Sequence, residues 1–375
     1  MVWGRQWFHH NDQIGLSDFG IELEHNVRTA QFDKCFTLIN NFSHLCGSSR
    51  SLDATTVFFL KRQINRISKL QKHRFCARKL QNSFKLRIAF IDFWNNFNPR
   101  SSPLYGLFSQ IMKGKILLVD AHDAPDIVIG SCFGTSIREL SHSSATHILY
   151  LGENLKPNYS LYDYSFSFEH NHYFGRNLNL PLWFLSLKNW DHENDPYLSH
   201  PLIMPELICK FQQFNRVNKK NSICVVANNF PPARAEQIAL FRSRGIQIDI
   251  YGNHFNPVID KVNTMSKYKY CLCGENSWSK GYVTEKLIHA YHSGAKPIYW
   301  GGVENEKFNM DEFISLDEDN SNLPTVLASI SQFEDIDNRP KGSLLPQQKY
   351  LKKKNRIETF VASIINDLYI EKLHA

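Results

Sequence analysis

The stretch that most limits how this chain can fold runs from Tyr268 to Gly302, YKYCLCGENSWSKGYVTEKLIHAYHSGAKPIYWGG. Its pattern predicts a buried strand over Tyr268 to Cys273, a polar loop, a short helix, and a second strand over Pro297 to Trp300. The helix is expected to open near Val283 or Thr284 and to stop at Gly294, a residue suited to the left-handed position after a helix. Leu287, Ala290 and Tyr291 share one helical face, which would pack on a sheet. A strand, a loop leading into a helix N-terminus, and a parallel strand make half of a nucleotide-binding sheet. Free N–H groups and the positive end of the helix dipole then face the loop, where an anion can sit.

Lys286 falls in the first turn of that helix, where a cation opposes the dipole at a cost of about 0.3–1 kcal/mol. Two readings fit. In one, Lys286 faces a bound anion, Asn276 and Tyr282 add hydrogen bonds to it, and Glu285 accepts from sugar hydroxyls. In the other, this is an ordinary surface helix with a solvated lysine. Arg234 repeats the pattern, since it opens a predicted helix (Ala233 to Arg244) that follows the strand Ile223 to Ala227.

Earlier in the chain, strands and helices alternate from Leu86 onward. LRIAFIDFW reads as a strand, Pro103 to Met112 as a helix, and Ile116 to Val119 and Asp126 to Gly130 as strands. A helix near Ile137 to Ser141 then leads to the strand His147 to Leu151. Alternation of this kind implies a mostly parallel sheet covered on both faces. Glu153 follows the last of these strands, on the edge where open α/β sheets place their ligands. Its position alone also fits a solvated or helix-capping loop glutamate. Later, Ile246 to Tyr251 and Glu312 to Leu316 read as strands and Leu323 to Phe333 as a helix. A terminal helix, Lys349 to Leu368, carries an apolar stripe of Ile357, Phe360, Val361, Ile364, Ile365 and Leu368.

The chain is 375 residues long with a net charge of +7, a moderate excess that suits an anionic partner. The expected organisation is an N-terminal, mostly helical extension (1–84), an α/β domain (85–214), a second α/β domain (215–345) and a C-terminal helix (346–375). Within the extension, Phe58 to Leu80 has the spacing of an amphipathic helix with a strongly basic face. A contact with anionic membrane and a solvated face packed on the main body both fit it. No nucleic-acid motif falls in the α/β domains, so nucleic acid is not an expected partner. No apolar run is long enough to span a bilayer, and the first residues lack a signal-peptide core. The expectation is a cytoplasmic protein, with a peripheral place at the inner membrane as a further possibility. The eight cysteines show no C-x-x-C pair, and Cys271 and Cys273 are expected as small core residues on one face of a strand.

These motifs also carry a resemblance. Gly274-Glu275-Asn276-Ser277, a three-residue spacer, and Gly281-Tyr282-Val283-Thr284-Glu285-Lys286, followed by Pro297-Ile298-Tyr299-Trp300-Gly301, resemble the signature of the α1,3/α1,4-fucosyltransferases. The chain departs from it at Gly274, where that family usually has Phe. Tyr150-Leu151-Gly152-Glu153-Asn154 is similar to a second family motif. The resemblance implies a GT-B fold, two Rossmann-like domains facing each other across a cleft, and a bacterial-type enzyme using GDP-fucose. It implies that Glu153 is the general base and that Arg234 contacts the donor diphosphate. It also implies an oligosaccharide or glycolipid acceptor.

The expected reaction is direct, inverting displacement; the alternatives are an inverting transferase using another nucleotide sugar and a non-enzymatic basic protein that binds nucleic acid or membrane. Glu153 takes the acceptor proton, Arg234 and Lys286 hold the leaving GDP, and Asn276 and Tyr282 assist. Glu285 binds ribose or fucose hydroxyls or steadies charge at the anomeric carbon. No cofactor or divalent metal is expected. Asp317-Glu318-Asp319 and Asp335-Ile336-Asp337 have the spacing of a metal-binding Asp-x-Asp but match no family motif.

Overall fold

The computed structural model describes residues 34, 37, 84–140, 143–159, 161–171, 173, 175–193, 202–210, 219–253, 255–330 and 342–372. The expected basic helix of the N-terminal extension and Asp335-Ile336-Asp337 lie outside these described residues. The chain divides into two compact units.

The first unit is built on six parallel strands: β1 (Leu86–Ile91), β2 (Ile116–Leu118), β3 (Ile127–Gly130), β4 (Thr146–Tyr150), β5 (Tyr164–Ser167) and β6 (Asn177–Asn179), in the spatial order β2-β1-β3-β4-β5-β6. Helix α1 (Pro103–Ile111) connects β1 to β2. Every residue of β3, β4, β5 and β6 is buried, as a parallel sheet covered on both faces requires. The apolar runs of β1, β3 and β4 made them readable. By contrast, β5 and β6 alternate Ser and Asn with single apolar residues, and the sequence reading did not place them as strands. Their polar side chains satisfy one another: the Asn177 side-chain oxygen accepts from the hydroxyls of both Ser165 and Ser167 at 2.8 Å.

The second unit opens with helices α2 (Leu182–Leu185) and α3 (Glu206–Cys209), and then alternates regularly. β7 (Lys220–Val226), α4 (Pro232–Ser243), β8 (Ile248–Tyr251), α5 (Lys261–Ser266), β9 (Tyr268–Gly274), α6 (Glu285–His292), β10 (Lys296–Trp300), β11 (Ile314–Leu316) and α7 (Leu323–Ile330) follow in order. Its five strands are parallel, in the order β11-β10-β9-β7-β8. Ile223, Val225, Tyr270, Leu272, Ile298 and Trp300 from the central strands pack with Phe241 of α4 and Leu327 of α7.

The unit boundary falls between Asn179 and Leu180, well before the expected position near residue 215. Trp183 of α2 explains the difference. Its N–H donates to Val283 O at 3.3 Å, and its ring meets Phe308 at 5.0 Å, so this segment packs with the second unit. The C-terminal helix α8 (Gln347–Lys372) groups with the second unit up to Asn355 and with the first from Arg356. Its stripe, Ile357 to Leu368, is buried, and Phe360 sets its ring edge-on to Tyr164 and Phe166 of β5. No helix among the described residues is long and apolar enough to cross a membrane.

Candidate functional site

The loop between β9 and α6 holds most of the sequence-predicted residues. The fold fixes it at both ends. At its start, Glu275 N–H donates to Trp300 O at 2.8 Å, extending the β9–β10 pairing by one residue. At its end, Gly281 has φ +84° and donates to Gly302 O at 2.6 Å, next to a short bridge between Lys280 and Gly302. A Cβ at Gly302 would come within 2.1 Å of Ser279 O, so the loop backbone can pass there only over a glycine. Thr284 is the N-cap of α6, and Gly294 closes the helix with φ +75°.

Glu275 is the centre of this loop, and the sequence reading gave it no role. Its residue is 0% exposed. Its carboxylate accepts from Thr284 N–H (2.8 Å), the Thr284 hydroxyl (2.9 and 2.8 Å to its two oxygens), the Tyr299 hydroxyl (2.8 Å) and Lys286 Nζ (2.8 Å). The cation in the first turn of α6 therefore does have an anion, and the protein supplies it. The signal was present in the sequence: a carboxylate directly after a buried strand and close to a cation that lacked an explanation. What the sequence could not show was that Tyr299 of the neighbouring strand points at the same place.

Lys286 keeps a side chain that is 18% exposed, and its ammonium also donates to the Thr284 hydroxyl at 2.8 Å. Burial pulls its pKa down, but the Glu275 and Glu285 carboxylates outweigh burial and the nearby Arg234, and the net shift is upward. Glu285, beside it, pairs with Lys261 of α5 at 3.3 Å. Burial would raise the Glu285 pKa, but Lys261, Lys286 and His289 together hold it below the usual carboxylate range. Lys261 was absent from the sequence reading because α5 was not read as a helix. Its signal was Asp260, whose carboxylate caps the helix by accepting from Asn263 N–H at 2.9 Å.

Arg234, in the first turn of α4, is 3% exposed, and its guanidinium points into the protein. It donates to the carbonyls of Asn229, Gly274 and, at 3.3 Å, Glu275. It thereby ties the loop after β7 to the end of β9, and burial lowers its pKa against the pull of Glu275 and Cys273. Arg234, Lys261 and Lys286 thus share this region with the carboxylates of Glu275 and Glu285. Asn276 is exposed at the loop's outer side, and Tyr282 is buried. At Gly274, a Cβ would lie 3.3 Å from Trp300 Cβ, a tight fit for the Phe usual in the resembling family.

Glu153 belongs to the first unit. It is exposed, three residues past the carboxyl end of β4, and its own carbonyl accepts from Leu155 N–H at 2.8 Å. Aromatic side chains gather at this edge of the sheet. Phe93 and Phe97 stack at 4.0 Å, and the exposed Trp94 and Phe133 meet edge to face at 6.0 Å.

Among the described residues, no three His, Cys, Asp or Glu side chains are grouped to hold a metal ion. In Asp317-Glu318-Asp319 the two aspartates instead bind their own turn: Asp317 accepts from the Ser321 hydroxyl at 2.9 Å and Asp319 from Ser321 N–H at 3.0 Å. Cys224, Cys271 and Cys273 are buried free thiols of the second sheet.

Comparison with known proteins agrees with the motifs. Residues 88–186 match the family model of the alpha-(1,3)-fucosyltransferase FucT N-terminal domain, and residues 216–335 match that of the glycosyltransferase family 10 (fucosyltransferase) C-terminal domain. The alpha-(1,3)-fucosyltransferase FucT of Helicobacter pylori is 28% identical over 261 residues, covering 62% of this chain and 54% of that protein. Human 4-galactosyl-N-acetylglucosaminide 3-alpha-L-fucosyltransferase 9 is 31% identical over 134 residues, covering 34% of this chain and 36% of that protein. The chain thus spans about half, or less, of the length of these relatives. A crystal structure of an alpha1,3-fucosyltransferase superposes with a TM-score of 0.53 at 25% identity, covering 74% of this chain and 91% of that one. Its two parallel-sheet domains are of the same GT-B type. The two family models take in more than half of the chain, and the chain belongs to glycosyltransferase family 10, the fucosyltransferases.

Proposed function

We propose that this protein transfers fucose from GDP-fucose to a sugar hydroxyl, with inversion at the anomeric carbon. The acceptor we propose is O3 or O4 of N-acetylglucosamine, or of a related sugar, in a surface glycan or lipopolysaccharide. The observation that carries the reading is the arrangement at Lys286, in a chain that matches the family over both units. The ammonium of a partly exposed lysine is held at the N-terminus of α6, with the Arg234 guanidinium acting on it. Such a site stabilises the charge that builds on a departing diphosphate without having to reorganise.

In this reaction Glu153 takes the proton of the acceptor hydroxyl. Its exposure keeps the carboxylate available, and a general base contributes about 10²–10⁴-fold to rate. Lys286 meets the diphosphate. Arg234 acts mainly through the loop backbone it braces, and its charge acts on Lys286. Asn276 lies exposed in the same loop and supplies a hydrogen bond, while the buried Tyr282 shapes the loop. Glu285, held ionised by Lys261, accepts from ribose or fucose hydroxyls.

The test is a transfer assay with GDP-fucose, UDP-galactose and CMP-sialic acid, each offered with an N-acetyllactosamine acceptor and with or without EDTA. Product linkage and anomeric configuration are read by NMR. Fucosylated product of inverted configuration, formed equally with EDTA present, is expected from GDP-fucose alone. Product from a different nucleotide sugar would overturn the donor assignment, and retained configuration would overturn the mechanism.

A further inference from the structure

Glu275 plays no part in the chemistry proposed above, yet more of the loop converges on it than on any other of its charged groups described here. Three elements meet at its carboxylate: β9, which it directly follows, β10 through Tyr299, and α6 through Thr284 and Lys286. A carboxylate taken out of water must have its lone pairs met, and Thr284 and Tyr299 already supply three donor groups. The Lys286 ammonium adds a further donor and the counter-charge that an enclosed carboxylate requires, so each of the two groups holds the other in place.

The ammonium has three protons. Nζ lies 2.8 Å from a Glu275 carboxylate oxygen and 2.8 Å from the Thr284 hydroxyl oxygen, and these two oxygens are 2.8 Å from each other, so both contacts fall on one side of the ammonium. At least one N–H of the ammonium therefore faces away from Glu275 and Thr284. A free lysine side chain would have to be ordered when an anion arrives, and this one is ordered beforehand.

We propose that Glu275 is the positioning residue for Lys286: with the Thr284 hydroxyl it tethers one side of the ammonium so that its opposite side is presented to a phosphate oxygen of a nucleoside diphosphate. This rests on the reading of the second unit as the donor site. The charged and titratable groups that bear on Lys286 are Glu275, Glu285 on its own helix and Arg234 on α4. Behind them stand Tyr299 on β10 and Cys273 on β9 next to Glu275, with Lys261 and His289 next to Glu285. Of these, Glu275 and Glu285 hold the proton on Lys286, whereas burial and Arg234 act against it. Without the Glu275 charge, Lys286 gives up its proton at lower pH and its grip on phosphate with it.

The experiment measures GDP affinity by calorimetry from pH 6.5 to 9 on the full chain. It compares the natural protein with Glu275→Gln, Glu275→Asp and Lys286→Met. In each case the ratio of Kd to that of the natural protein removes the titration of GDP itself. The expected result for Glu275→Gln is a ratio that climbs at least tenfold across this range. For Glu275→Asp, which keeps the charge, the ratio should stay flat, and for Lys286→Met it should be raised at every pH without the slope. A folded Glu275→Gln with a flat ratio near one would overturn the proposal. A second measurement needs no Glu275 variant: the Lys286 resonance in ¹³C-lysine NMR, assigned by its loss in Lys286→Met, should titrate above ordinary lysines. Titration below them would overturn the proposal as well. If the natural protein binds no GDP, the donor reading fails, while the NMR titration still decides whether Glu275 holds Lys286 charged.

Discussion

Glu153 and Glu275 are the same amino acid in the same kind of place, just beyond the carboxyl end of a central parallel strand, one in each unit. Their surroundings are opposite. Glu153 is exposed to solvent. Glu275 is fully enclosed and receives donors from Thr284, Lys286 and Tyr299. The donors that enclose Glu275 make its burial tolerable and tie it to α6 and β10. The comparison separates a carboxylate open to solvent from one enclosed by donors, a distinction that position after a strand does not reveal.

The sharpest way to break this contrast is to remove each charge in turn. Glu153→Gln is expected to lower kcat by about 10²–10⁴-fold, the usual contribution of a general base, with the melting temperature and GDP affinity unchanged. Steady-state kinetics alongside calorimetry checks this, and a Glu153→Gln enzyme at full turnover would refute the base assignment. Glu275→Ala should show the reverse emphasis. It strands Lys286 in a largely buried site, at a cost of about 3–5 kcal/mol of stability, or on the order of 10 °C in Tm. Glu153→Ala should stay within roughly 0.5 kcal/mol of the natural protein, as exposed positions do.

The smallest expected effect concerns pH. Glu285 has a folded pKa held below its unfolded value near 4.5. The stability it contributes is therefore in place above that value and is lost as pH falls through the range below it. Melting curves between pH 5 and 3 should decline more steeply for the natural protein than for Glu285→Gln, and equal slopes would show that the Lys261 pair contributes nothing.

The sequence revealed the parts of this molecule whose physics is local. Strand β9 showed itself because a doubly covered strand must be apolar throughout, and α6 because Gly294 ends it in a conformation that other residues resist. Both basic first turns were also visible, since each breaks a local electrostatic preference. The hidden parts depend on partners distant in the chain. Strands β5 and β6 look like loop because Ser and Asn disfavour strands, and only the side-chain bonds from Ser165 and Ser167 to Asn177 make their burial acceptable. The anion facing Lys286 stayed unidentified because Glu275 depends on Tyr299, 24 residues away on the next strand. The early unit boundary likewise depends on Trp183 meeting Val283 and Phe308.

The central claim is that the Lys286 ammonium, fixed at the start of α6, grips the diphosphate of the donor. Calorimetric titration of GDP into the natural protein and into Lys286→Met tests it most directly. Loss of one charged hydrogen bond, about 1.5–3 kcal/mol, should raise Kd roughly 10–100-fold in a variant that remains folded. A folded Lys286→Met that binds GDP as tightly as the natural protein would contradict the account.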